Sequence, residues 1–213
     1  MEGTSRRRRW DVAGAIAEQR LLGIVRSSSA AAAACTVDVL ADSGVRVLEV
    51  SLTTPGALDV IRDAVRRHPG LVVGAGTVLD QASARLAVLA GAQLLVSPAL
   101  EPDVLRTGHR YGIAVLPGVA TPTEVVTALE LGADLVKLFP ASGSGPRAVA
   151  DLLQALPQAP LVPTGGVGPA VAADYVRAGA VAVGMGGSLA EGSAEEVGER
   201  VQALLQALQQ AAR

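Results

Sequence analysis

The chain has 213 residues, the length of one large domain. Half of the residues are hydrophobic but only 2% are aromatic, so the core must be aliphatic, and buried alanine, valine and leucine suffice for one. The net charge of −2 gives no general pull toward nucleic acid or a membrane surface.

Basic residues cluster once, at Arg6-Arg7-Arg8-Arg9. We expect residues 1–9 to be a disordered, solvated basic tail and residues 10–213 to be a single domain. Asp11, Glu18, Gln19 and Arg20 interrupt any apolar stretch behind the arginines, so no export signal is expected. No segment approaches eighteen uninterrupted apolar residues, which leaves nothing to span a membrane. Cys35 is the only cysteine, which excludes an internal disulfide and fits a reducing cytoplasm. His68 and His109 are the only histidines, and no spacing suggests a zinc site.

After a predicted helix at Asp11–Arg20, short apolar runs alternate with helical patterns. The runs are Leu21–Arg26, Arg46–Leu52, Leu71–Gly76, Gln93–Ser97, Ala114–Pro117, Leu135–Phe139, Leu161–Thr164 and Ala180–Gly184. Helical stretches include Thr54–Arg67, Asp80–Ala90, Pro122–Leu131, Pro169–Ala178 and a last one at Ala194–Ala212. Prolines fall near helix starts and glycines after helix ends, as at Pro122 and Gly179. The strands alternate little between apolar and polar residues, so both faces are covered, as in a parallel sheet. Eight β-α units predict an α/β fold, a closed (β/α)8 TIM barrel with an extra N-terminal helix. A doubly wound open sheet is the alternative.

A barrel carries its site at the C-terminal ends of its strands. Seventeen of the 18 basic residues are arginine; the exception, Lys137, lies in the apolar run Leu135-Val136-Lys137-Leu138-Phe139-Pro140. A guanidinium stays charged, whereas a buried lysine readily gives up its proton and becomes a nucleophile toward carbonyls. The competing reading is a strand lysine whose stem packs while its head reaches water. Glu49, in Val47-Leu48-Glu49-Val50, is equally misplaced for a solvated carboxylate. Pointed inward it would move protons near neutral pH; paired with Arg46 or Arg26 it would be structural glue. The glycine turns Thr164-Gly165-Gly166-Val167-Gly168 and Gly184-Met185-Gly186-Gly187-Ser188 follow strands seven and eight, where barrels bind phosphate.

These segments, with Gly44-Val45-Arg46-Val47-Leu48-Glu49-Val50, Val73-Gly74-Ala75-Gly76-Thr77-Val78-Leu79, Val96-Ser97-Pro98 and Leu116-Pro117-Gly118-Val119-Ala120-Thr121-Pro122-Thr123-Glu124, resemble one family from about Ala13 to Ala207. It is the class I 2-keto-3-deoxy-6-phosphogluconate (KDPG) and 4-hydroxy-2-oxoglutarate (KHG) aldolase family. The resemblance implies a Schiff base on Lys137, acid/base work by Glu49, and no metal or other cofactor. It also implies that Thr77 lies near the pyruvate carboxylate, that Pro98 shapes that pocket, and that Phe139 packs against the imine. Thr164, Gly165, Gly166, Gly187 and Ser188 would surround the distal, phosphorylated end.

One departure from the family pattern is important. Many members carry arginine where this chain has Thr53, in Glu49-Val50-Ser51-Leu52-Thr53-Thr54. Some relatives share the threonine and have an arginine at the end of strand one, so Arg26 is expected to replace the missing charge. The expected reaction is cleavage of 2-keto-3-deoxy-6-phosphogluconate to pyruvate and glyceraldehyde 3-phosphate, or of 4-hydroxy-2-oxoglutarate to pyruvate and glyoxylate. The galactonate-derived epimer is an alternative substrate. Different functions on the same fold would be a scaffold subunit with little activity or a phosphosugar isomerase. Family members are typically homotrimers acting on small keto acids, so no nucleic-acid or membrane partner is expected.

Overall fold

The computed structural model describes residues 9–212. The tail expected over 1–9 lies outside the described residues except for Arg9, which opens the first helix and pairs with Asp134 at 2.8 Å. The elements run α1 (Arg9–Gln19), β1 (Leu21–Val25), α2 (Ala30–Asp42), β2 (Val47–Ser51), α3 (Ala57–Arg67), β3 (Val72–Gly76) and α4 (Gln81–Leu89). They continue with β4 (Leu94–Val96), α5 (Pro102–Arg110), β5 (Ala114–Leu116), β6 (Gly118–Val119), α6 (Pro122–Glu130) and β7 (Val136–Leu138). The chain ends with α7 (Gly145–Ala155), β8 (Leu161–Pro163), α8 (Pro169–Arg177), β9 (Val183–Met185), a 3-10 turn at Gly187–Leu189 and α9 (Ala194–Ala211).

Local chemistry sets the helix boundaries. Ser29 and Asp80 accept N–H bonds at the starts of α2 and α4, and Thr121 with Glu124 and Ser193 with Glu196 close capping boxes on α6 and α9. Gly44, after α2, has φ +99°, which lets the chain turn back into strand geometry without a Cβ clash.

Every strand pair is parallel. Six strands form a curled sheet in the order β5-β4-β3-β2-β1-β9, and three more form β6-β7-β8. Pro117 has no N–H to donate; the fifth predicted strand, Ala114–Pro117, is β5 up to Leu116, and the path continues beyond its predicted end as β6. The two sheets are joined at both ends: Asp134 N–H donates to the Val115 carbonyl of β5 at 3.3 Å, and a parallel bridge joins Thr164 to Gly184. The eighth strand begins later than expected, at Val183.

Side-chain alternation sorts the core into two clusters. Leu48, Val73, Val115 and Val136 face the helices. Leu22, Val47, Val72, Leu94, Ala114, Leu135, Val162 and Ala182 instead gather with Val12 and Ile16 of α1. Helix α1 thus plugs the end of the strands opposite the predicted site. Two residues further along each strand, the same inward column holds Glu49 on β2 and Lys137 on β7. One sheet face therefore supplies an apolar floor and, above it, polar side chains.

Close backbone approach sets a sequence limit at Gly118. A Cβ there would lie 2.3 Å from the Pro98 carbonyl carbon and oxygen. Gly118→Ala is expected to destabilise the protein by about 1–3 kcal/mol and lower its melting temperature by several degrees in a thermal scan, about 2–4 °C per kcal/mol.

Candidate active site

At the C-terminal ends of the strands a cavity of about 490 Å³ opens. Its walls include Arg26 after β1, Thr77 after β3, Pro98 after β4, Phe139 after β7 and the two glycine turns after β8 and β9. Lys137 and Glu49 form its floor; they are only 6% and 2% exposed. Lys137 Nζ lies 3.9 Å from Glu49 Oε1, and Glu49 Oε2 is buried without a hydrogen-bond partner among the described residues. That separation is too long for a direct hydrogen bond. An oxygen placed between them would reach both.

Burial pushes the Glu49 carboxyl above the ordinary glutamate range. The Lys137 ammonium, and then the Arg26 guanidinium, pull it partly back. The carboxyl is tightly framed: a Cβ on Gly76 would fall 2.7 Å from it. On the other side of the lysine, Nζ stands 5.0 Å from the centre of the Phe139 ring. The segment after Phe139 is pinned where the Tyr175 hydroxyl of α8 donates to the Ala141 carbonyl at 3.1 Å. Burial raises the Tyr175 phenol as well, which keeps it a neutral donor.

All the expected site residues except Thr53 border the cavity. Thr53 is exposed outside it, and its hydroxyl is 2.8 Å from Ser51 Oγ. Thr164 borders the cavity, but its hydroxyl donates to the Val162 carbonyl at 3.1 Å. Glu49 meets neither arginine as an ion pair: Arg46 pairs with Glu18 at 3.3 Å, while Arg26 acts on Glu49 only through its field. Val167, Gly168, Gly184 and Gly186, all within the two glycine turns named from the sequence, complete the lining with Ile24, which was not singled out. Ile24 and Gly184 lie two residues beyond inward-facing Leu22 and Ala182, so strict period-two counting finds both.

Among the described residues no helix is long and apolar enough to cross a membrane. No group of three or more His, Cys, Asp or Glu side chains among them is placed to hold a metal ion.

The family model for KDPG and KHG aldolase matches residues 12–204. A probable 2-dehydro-3-deoxy-6-phosphogalactonate aldolase from Rhizobium meliloti (strain 1021) is 36% identical over 81% of this chain and 82% of its own length. The 2-dehydro-3-deoxy-6-phosphogalactonate aldolase of Escherichia coli (strain K12) is 34% identical over 90% of this chain and 95% of its own. The crystal structure of the Zymomonas mobilis ZM4 2-keto-3-deoxy-6-phosphogluconate aldolase with 3-phosphoglycerate superposes with a TM-score of 0.82. It is 30% identical and covers 92% of this chain and 95% of that one. With its buried amine and carboxyl at one cavity, the chain belongs to the KDPG and KHG aldolase family, a family of carbon–carbon lyases.

Proposed function

We propose that the protein is a class I aldolase that cleaves a 2-keto-3-deoxy-6-phospho sugar acid to pyruvate and glyceraldehyde 3-phosphate. The observation that carries this reading is the isolated Lys137–Glu49 pair, 3.9 Å apart on the cavity floor. The Lys137 amine adds to the C2 keto carbon, and the carbinolamine hydroxyl occupies the space between Nζ and Glu49. Glu49 protonates that hydroxyl as it leaves as water, which forms the iminium. Glu49, directly or through a water, then takes the proton of the C4 hydroxyl. The C3–C4 electron pair moves into the iminium and leaves the enamine of pyruvate and a free aldehyde. Protonation at C3 and hydrolysis release pyruvate and restore the amine.

Thr77 and Arg26 border the same cavity and are assigned to the substrate carboxylate. Arg26 takes the place of the guanidinium absent at Thr53. Pro98 and Phe139 flank the reacting carbons. The turns at Thr164-Gly165-Gly166 and Gly187-Ser188, with the start of α8, would hold the phosphate through backbone N–H groups. The 3-phosphoglycerate bound by the Zymomonas mobilis relative supports a phosphorylated ligand. The two long matches to galactonate-type aldolases favour a second reading, the galactonate-derived epimer, beside the gluconate-derived one. 4-Hydroxy-2-oxoglutarate would use the same floor without the phosphate turns.

We read the two hydrogen-bonded sheets as one closed (β/α)8 barrel with α1 as an extra helix at its floor. The exposed leucines Leu79, Leu86 and Leu89 on and before α4 would be covered in a homotrimer, the usual assembly of the family.

Borohydride added with pyruvate is expected to trap an adduct on Lys137, located by peptide mass spectrometry. No adduct in folded protein excludes the mechanism. Glu49→Gln should slow trapping by roughly 10²–10⁴-fold. Because sugar-acid cleavage needs the Glu49 carboxylate as base and burial raises its pKa, the wild-type cleavage rate should rise with pH above the ordinary glutamate range. The variant should lack that limb. Arg26→Ala is expected to raise the half-saturating pyruvate concentration about tenfold while the adduct still forms; unchanged affinity and turnover would remove Arg26 from carboxylate binding. Cleavage rates on the two phosphorylated epimers and 4-hydroxy-2-oxoglutarate rank the substrates. Light scattering should give a trimer mass, and Leu86→Asp should reduce it; a monomer of 21.4 kDa in the wild type would dismiss the trimer.

A further inference from the structure

Three hydroxyls, one at the end of β2 and two from the loops after β2 and β3, form a chain that ends at the cavity. Ser51 Oγ, at the end of β2, is fully buried and lies 2.8 Å from both Thr53 Oγ1 and Thr77 Oγ1. Thr77 borders the cavity in a conformation few β-branched residues adopt, with φ +58°. Its neighbours hold it there: the Gly76 carbonyl accepts from Leu52 N–H at 2.8 Å, and Val78 N–H donates to the Val96 carbonyl at 3.1 Å. Sheet bonds on both sides thus maintain a strained residue at a ligand-binding wall.

Each hydroxyl has one proton to give. If Thr77 gives its proton to an anion in the cavity, its oxygen is free to accept only from Ser51. Ser51, having donated, accepts from Thr53 N–H at 3.4 Å, and its 2.8 Å contact with Thr53 Oγ1 then requires that hydroxyl to donate as well. The order Thr53 to Ser51 to Thr77 to anion is the one arrangement of these three groups in which every donated proton points toward the cavity. Hydrogen bonds aligned in series polarise one another in a buried setting.

We propose that Ser51 is a positioning residue for the substrate carboxylate. It fixes the Thr77 rotamer and orients the Thr77 proton into the cavity, with Thr53 as the outer end of the relay. The inference rests on the imine reading of Lys137. It gives Thr53 a function at a position outside the cavity: it is a neutral relay donor rather than a contact to substrate.

The test is borohydride trapping of pyruvate and of its neutral amide, pyruvamide, by the wild type, Ser51→Ala, Thr77→Val and the double variant. For Ser51→Ala the half-saturating pyruvate concentration should rise about tenfold, with the limiting trapping rate within about threefold and the pyruvamide value shifted less than twofold. On the Thr77→Val background Ser51→Ala should add no further loss, because Ser51 acts through Thr77. Equal weakening toward pyruvate and pyruvamide, or a full Ser51 effect without the Thr77 hydroxyl, overturns the proposal. Should Ser51→Ala fail to fold, Thr53→Val at its exposed position carries the test: a carboxylate-specific loss of about threefold is expected, and none overturns the relay. If the wild type traps no pyruvate, the imine reading falls and this inference with it. A wild-type adduct without carboxylate-specific effects in the variants defeats the relay alone.

Discussion

An amine and a carboxyl enclosed together, with little else to satisfy them, are the constraint on which this protein is built. Water would stabilise both groups far better than an aliphatic interior does. Glu49 has one oxygen with no partner among the described residues, and the other is 3.9 Å from Lys137, beyond hydrogen-bond reach. The two partners are adequate to stay buried and inadequate to neutralise each other's chemistry.

The surrounding fold makes that arrangement affordable through layering. Val12 and Ile16 of α1, with inward residues such as Leu22, Val72 and Leu135, form an apolar floor that closes one end of the strands. The next inward positions carry Glu49 and Lys137, so the polar layer faces an open cavity on its other side. Small residues make the approach close enough. With so few aromatic side chains, shape depends on where Cβ atoms are missing, and Gly76 and Gly118 admit a carboxyl and a backbone carbonyl where any larger residue would collide. The proposed carboxylate end relies on hydroxyls and on one arginine at the rim. The proposed phosphate end would rely on backbone N–H groups. The charge balance of the site is therefore set by Lys137, Glu49 and Arg26 together.

The alternation of parallel strands with helices was legible because apolar runs, proline starts and glycine ends recur in order. Lys137 was legible as a compositional exception, and Glu49 as a carboxyl in an apolar strand. The end of the fifth strand was harder to read: Pro117 interrupts its bonding without ending its path, and Gly118–Val119 continues it. The late start of β9 has a similar origin, since Ala180–Ala182 is as apolar as the strand that follows.

By itself, the sequence determined the alternation of strands with helices and which strand positions share a face, and it left open whether Lys137 and Glu49 lie on the inward one. Those properties depend on periodicity within a few residues. Only the tertiary structure decided that Thr53 stays outside the cavity, that Thr164 turns its hydroxyl back to the Val162 carbonyl, and that Ser51 meets Thr77. A hydroxyl's partner depends on loop dihedrals and on a neighbour contributed by another strand, here 26 residues away. No local pattern encodes that separation.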